Sequence, residues 1–272
     1  MGRIERTFEE LAQQGRTALM PYLTMGYPAR DSALDLVPAI AEAGADLIEL
    51  GVPFSDPLAD GATIQASSQR ALGNGMTLTL CLDQAAALRA CGVRLPFVLM
   101  GYYNPILQLG IERFARRAAA AGVDGTIVPD LPPEESGELH AALRRHGIDL
   151  IFLLAPTTDD ARVRDIVARA SGYLYLVSLV GVTGARDRLP LEFEAFVARV
   201  RAISDLPLAV GFGIGSPAQA ARVARVADGV IVGSALIRAI GSAADPLAAA
   251  RAFVASLREG IDTQRVASRS SQ

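Results

Sequence analysis

The sequence contains no lysine, so all 26 of its basic residues are arginine. A Schiff-base mechanism, a lysine general base and a Walker-type phosphate lysine are therefore excluded, because arginine keeps its proton and does not act as a nucleophile in proteins. Histidine and cysteine are nearly as scarce, with two of each. His140 and His146, in "ELHAALRRHG", stand six apart on different faces of an expected helix, which suits ordinary surface positions better than a metal site. Cys81 and Cys91 are spaced neither as a zinc pair nor as a redox pair and read as core thiols. No apolar run approaches the ~18 residues of a membrane span. The opening "MGRIERTFEELAQQGR" is too charged for a signal-peptide core, so a cytoplasmic location is expected. A formal net charge of -3, with the arginines scattered, argues against nucleic acid or an anionic membrane as the main partner.

What is present is alternation. Short β-branched or Leu-rich runs alternate with longer Ala/Arg/Glu-rich runs, the pattern of repeated β-then-α units around a parallel sheet. Expected strands cover residues 17–26, 46–51, 96–102, 124–130, 149–155, 173–178, 206–213 and 228–234. Several follow a glycine placed as a helix C-cap, as in "AEAGADLIEL", "AAAGVDGTIV" and "RRHGIDLIFL". Eight such units in 272 residues favour a single α/β domain, a (β/α)8 TIM barrel over residues 1–260, since such barrels commonly need ~250 residues. "GFGIGSP" has the wrong third spacing and follows too late a strand for a dinucleotide fingerprint. Beyond the plain barrel, "TFEE" (7–10) reads as a capping box opening an extra N-terminal helix over the barrel floor. Residues 61–93 leave room for two helices split by "GNGMT", one more than the unit requires. The polar tail, residues 261–272, is expected to be disordered.

In such a barrel the loops after the strands share one face, and catalytic groups sit at the C-terminal strand ends. Glu49 lies near the end of the second strand in "LIELGVPFSDPLADG" and is expected to point into the mouth. A buried carboxyl there is either partnered or shifted in pKa toward proton work. Asp60 follows eleven positions on, beyond a loop stiffened by Pro53 and Pro57. It either folds back to the same mouth or caps the helix beginning "GATIQASSQRAL". Tyr175 alternates toward the interior in "YLYLVS", as filler or as part of the site. Glycine clusters follow three late strands: "GVTGAR" (181–186), "GFGIGS" (211–216), and Gly233 with Ser234. Loops at such positions hold phosphate through backbone N–H groups, which needs no cationic side chain. "GVTGARDRLP" has the length and glycine hinges of a loop that closes over substrate.

Four segments, "LIELGVPFSDPLADGATIQ", "VPDLPPEE", "YLYLVSLVGVTGAR" and "VGFGIGSP", in this order and at these spacings closely resemble the tryptophan synthase alpha chain family, and the resemblance runs from residue 4 to residue 257. Ala62 stands where many members carry proline, and Met100 where some carry leucine. The resemblance implies retro-aldol cleavage of indole-3-glycerol phosphate to indole and D-glyceraldehyde 3-phosphate. It also implies an alpha2-beta2 heterotetramer in which a PLP-dependent beta chain takes the indole, with no cofactor in the alpha chain. Without a lysine or an obvious metal cluster, the electron sink must be the substrate's own indole ring, protonated at C3.

By matching position, the resemblance makes Glu49 the proton donor to C3 and then the base for the glycerol hydroxyl, and Asp60 the partner of the indole N–H. Glu49 should then be the carboxyl raised by apolar surroundings. Tyr175 would support the indole or Glu49. Gly184, Gly213, Gly233 and Ser234 would cradle the phosphate, and Thr183 would meet Asp60 on loop closure. Tyr22, Met100, Tyr102 and Phe212 would line the indole pocket, while Pro53, Asp56, Asn104 and Pro132 would face the beta chain. Rival readings are a stand-alone lyase that releases indole, a non-catalytic phosphate-binding barrel, and another sugar-phosphate barrel such as an isomerase, for which no base motif is present.

Overall fold

The structure, a computed structural model, describes residues 1–177, 191–211 and 213–269, side chains at 191 and 264–269 aside. Eight parallel strands pair in chain order into a closed barrel among the described residues: β1 (Ala18–Thr24), β2 (Ile48–Gly51), β3 (Phe97–Met100), β4 (Gly125–Ile127), β5 (Asp149–Leu154), β6 (Leu174–Val177), β7 (Leu208–Gly211) and β8 (Gly229–Val232). Helices cover the outside: α1 (Arg3–Gln13), α2 (Ala33–Glu42), α3 (Ala62–Gly73), α4 (Leu78–Ala90), α5 (Tyr103–Leu109) and α6 (Ile111–Ala120). They continue with α7 (Gly137–Arg145), α8 (Asp160–Val167), α9 (Leu191–Arg201), α10 (Pro217–Val223), α11 (Ser234–Ser242) and α12 (Pro246–Arg269). Every expected strand is present, trimmed at its ends, and the segment after β2 forms two helices, α3 and α4.

The strands are buried on both faces, which is why they read as near-continuous apolar runs. Alternation still sorts them: Ala18, Met20, Leu47, Val98, Ile127, Ile151, Tyr173, Tyr175, Ala209 and Ile231 fill the barrel, while Leu19, Leu23, Ile48, Leu50, Leu174 and Leu176 pack outward under the helices. Ile4, Phe8 and Leu11, spaced along one face of α1, join the interior cluster and close the floor. Thr7 does not open this helix. The helix starts at Arg3 with Gly2 as N-cap, because the apolar stripe that needs burying begins at Ile4.

A repeated device fixes the even strands. The Asp46 and Asp124 carboxylates, just before β2 and β4, accept the N–H groups of Leu19 and Phe97 at 2.8 and 2.9 Å. Asp228 before β8 accepts that of Leu208 at 2.7 Å, and Ser171 before β6 accepts that of Leu150 at 3.3 Å. Arg258, Arg89 and Arg201 respectively pair with the three aspartates. The C-cap glycines Gly44, Gly122 and Gly147 have φ of 104°, 75° and 69°, where a side chain would be strained.

Two expectations fail outside the barrel. The chain is helical past residue 261: α12 runs to Arg269, Ile261 is buried, and Asp262 pairs with Arg258 one turn back. Cys81 is a core thiol, but Cys91 is exposed, because it caps the C-terminus of α4 on a different face. His146 reaches Glu112 at 3.3 Å on the outer surface, away from the barrel mouth.

Candidate active site

A cavity of about 290 Å³ opens where the strands end, lined by Tyr22, Glu49, Asp60, Met100, Tyr175, Gly213, Gly233 and Ser234 among others. Residues from both halves of the chain therefore meet there, whereas Tyr102, expected in the pocket wall, is absent from the lining and instead bonds the Asp60 loop. Thr183, Gly184 and Phe212 lie outside the described residues. A larger cavity of about 560 Å³ sits under α1 at the opposite end and contains none of the expected site residues. Chemistry in this architecture belongs to the C-terminal strand ends, so the smaller cavity is the candidate.

Register explains the position of Glu49. It pairs with Tyr22 of β1 on one side and Val98 of β3 on the other, with its outward neighbours Ile48 and Leu50 in the helix-facing core. The side chain is fully buried. Its Oε1 accepts a hydrogen bond of 2.8 Å from the Tyr173 hydroxyl, and its Oε2 has no partner among the described residues. Burial pushes the carboxyl up to about 8, against the smaller opposing effect of the Tyr173 bond. At neutral pH this favours its neutral acid form.

Asp60 is held differently. The Tyr102 hydroxyl donates to Asp60 Oδ2 at 3.0 Å and accepts the Ala59 N–H at 3.0 Å, pinning the loop to the start of α5. Phe54 stacks on the Tyr102 ring with centroids 5.1 Å apart. Helix capping is not its role, since Gly61 occupies the N-cap of α3 and no side chain caps it. Burial raises this carboxyl too, opposed by the Tyr102 hydrogen bond, which favours the charged form. Both carboxyls are thus shifted upward, not Glu49 alone. Glu49 is completely buried, whereas Asp60 is partly exposed.

The strand-end glycines have a second purpose. A Cβ on Gly51 would lie 2.0 Å from the Tyr22 hydroxyl, and one on Gly211 would lie 2.1 Å from that of Tyr175. Only glycine lets those phenols cross the barrel mouth. Burial holds the Tyr22, Tyr102, Tyr173 and Tyr175 hydroxyls above their ordinary range, so all four remain protonated donors. Gly213 has φ of 79°, which a side chain rarely adopts. Gly233 is the N-cap of α11 and makes no side-chain cap hydrogen bond, and Gly233, Ser234 and Ala235 all line the cavity.

Of the residues expected to face a partner, Asp56, Asn104 and Pro132 are exposed, whereas Pro53 is buried. Leu58, at 91% exposure on the same loop as Asp56, went unnoticed in the sequence. Tyr173 was missed as well, although it stands two residues before Tyr175 and alternation puts both on one face.

The sequence matches the family model described as tryptophan synthase alpha chain over residues 8–264. It is 60% identical to the tryptophan synthase alpha chain of Roseiflexus sp. (strain RS-1), covering 95% of this chain and all of that protein. It is 51% identical to the alpha chain of Geobacter sulfurreducens, covering 96% and 99%. Among solved structures, tryptophan synthase subunit alpha from Legionella pneumophila str. Paris superposes with a TM-score of 0.91 at 43% identity, over 97% of this chain and 99% of that one. With motif order, barrel and site geometry in agreement, the chain belongs to the tryptophan synthase alpha chain family.

Proposed function

We propose that the alpha-subunit reaction of this family, cleavage of indole-3-glycerol phosphate to indole and D-glyceraldehyde 3-phosphate, is run here by Glu49 and Asp60 in the cavity at the barrel mouth. The observation that carries this reading is a fully buried glutamic acid with one oxygen tied to Tyr173 and the other unpartnered among the described residues, in the wall of that cavity. Neutral Glu49 gives its proton to indole C3, and Asp60 stabilises the positive charge that develops at the ring N–H. The bond between C3 and the glycerol carbon then breaks, with its electrons restoring the ring. Glu49, now a carboxylate, takes the proton of the adjacent glycerol hydroxyl as the aldehyde forms. One proton leaves and one returns, so the acid is regenerated.

The N-terminus of α11, with Gly213, Gly233 and Ser234, offers the anion seat for the substrate phosphate. Tyr22, Met100 and Tyr175 would wall the ring. The alpha subunit works with a PLP-bearing beta chain, and this chain, lacking lysine, has no residue to which PLP could be bonded. Exposed Asp56, Leu58, Asn104 and Pro132 on neighbouring loops suit the docking face for that partner. No helix among the described residues is long and apolar enough to cross a membrane.

Purified chain mixed with indole-3-glycerol phosphate, alone and with a beta chain, tests the reading. Because the sequence has no tryptophan, indole fluorescence is read without an intrinsic indole background. Indole release stimulated by the partner is expected. Release in neither mixture overturns the assignment, and full release without stimulation favours the stand-alone lyase.

A further inference from the structure

Arg238 is the one cationic side chain lining the active-site cavity among the described residues. It stands four residues after Ser234 on α11, and i and i+4 side chains share one helix face. Both Ser234 and Arg238 line the cavity, so this side chain leaves the helix on the face that carries the anion seat. Its Nη1 donates to the Thr63 hydroxyl at 3.2 Å, in the first turn of α3 just beyond Asp60 and Gly61. The side chain thus spans the cavity rim from the anion seat to the carboxylate loop. It is exposed and makes no ion pair among the described residues.

We propose that Arg238 is a specificity-determining residue for the anionic end of the substrate, resting on the functional reading above. Backbone N–H groups at a helix terminus supply partial charges, whereas a guanidinium supplies a full charge and several donors in a fixed fork that fits phosphate oxygens. On phosphate binding, Arg238 exchanges a neutral hydroxyl acceptor for a dianion. The anion seat is therefore not made of glycine amides alone, as the sequence suggested, but carries one positive side chain at its rim.

Inorganic phosphate and D-glycerol 3-phosphate, titrated calorimetrically into the whole chain, report on this seat without any turnover. Arg238→Gln should weaken both about tenfold, the loss of one charge-assisted contact partly screened by solvent, and should reduce the salt dependence of binding. Arg238→Lys should recover part of the affinity. Thr63→Val removes the hydroxyl but keeps the charge, and should bind phosphate at least as tightly as the unaltered chain. In turnover, Arg238→Gln should raise KM for indole-3-glycerol phosphate while changing kcat little, and leave affinity for a phosphate-free indole analogue unchanged. Phosphate affinity unaltered by Arg238→Gln overturns the proposal. So does an equal loss in Thr63→Val, which would make the pair a structural tie. Failure to release indole would sink the functional reading but leave the phosphate titrations to decide this one.

Discussion

Tyr173 donates its hydroxyl proton to Glu49 Oε1 at 2.8 Å across the barrel interior, from a position 124 residues away in the chain. The Tyr173 ring is itself propped by Phe8 of the floor helix, with centroids 5.8 Å apart. The orientation of the candidate proton donor is therefore set from below, while its other oxygen is buried and has no partner among the described residues.

Removing that hydroxyl should move the alkaline limb of activity. The Tyr173 bond lowers the Glu49 pKa against the larger effect of burial, so Tyr173→Phe lets it rise further. A pH profile of kcat/KM for indole formation should show the alkaline limb at higher pH, with a loss of about two- to tenfold at neutral pH from poorer positioning. An unmoved limb would mean that Tyr173 only fills space.

The same carboxyl should leave a mark on stability. Its folded pKa of about 8 lies above its ordinary 4.5, so between these values the folded state holds more proton than the unfolded one. Stability from this group is complete below 4.5, declines as pH rises through that window, and is gone above about 8. Denaturant unfolding of the isolated chain at pH 5 and pH 9 should therefore show a smaller loss with pH in Glu49→Gln than in the unaltered chain. Equal losses would contradict the burial-driven shift.

Gly211→Ala should damage the site through Tyr175. The added methyl would lie 2.1 Å from the phenol oxygen, so the ring must move. Overpacking of this kind costs about 1–3 kcal/mol, and a displaced ring should cut indole formation about tenfold, since misplaced groups lose positioning. Gly137→Ala, where nothing lies within 4 Å of the new atom, is the control and should leave both melting temperature and activity near those of the parent.

Much of this is legible in the sequence alone. Eight strand-like runs punctuated by C-cap glycines give the barrel because period and turn chemistry are local properties. Glu49 stood out because a carboxyl at the end of an apolar run has few innocent explanations. What local pattern cannot show is who meets whom across the barrel. The Tyr173 bond to Glu49, the clearance that Gly51 and Gly211 leave for Tyr22 and Tyr175, and the Tyr102 bond to Asp60 all depend on register between distant strands. The failure at Thr7 has a different source: a capping motif is a local preference, and burial of Ile4 outweighs it. The persistence of α12 through residues 261–269 likewise reflects tertiary anchoring by Ile261 and the Arg258 to Asp262 pair, which composition does not reveal.

If Glu49 carries the proton to the indole ring, the steady-state rate of indole formation by Glu49→Gln bound to a beta chain must collapse. Gln keeps the shape and can still accept the Tyr173 hydrogen bond, but it has no proton to give. A fall of roughly 10²-fold or more in kcat with KM little changed is the predicted result. A variant that keeps more than about a tenth of the parent rate would contradict the claim, because general acid–base groups are typically worth at least about a hundredfold.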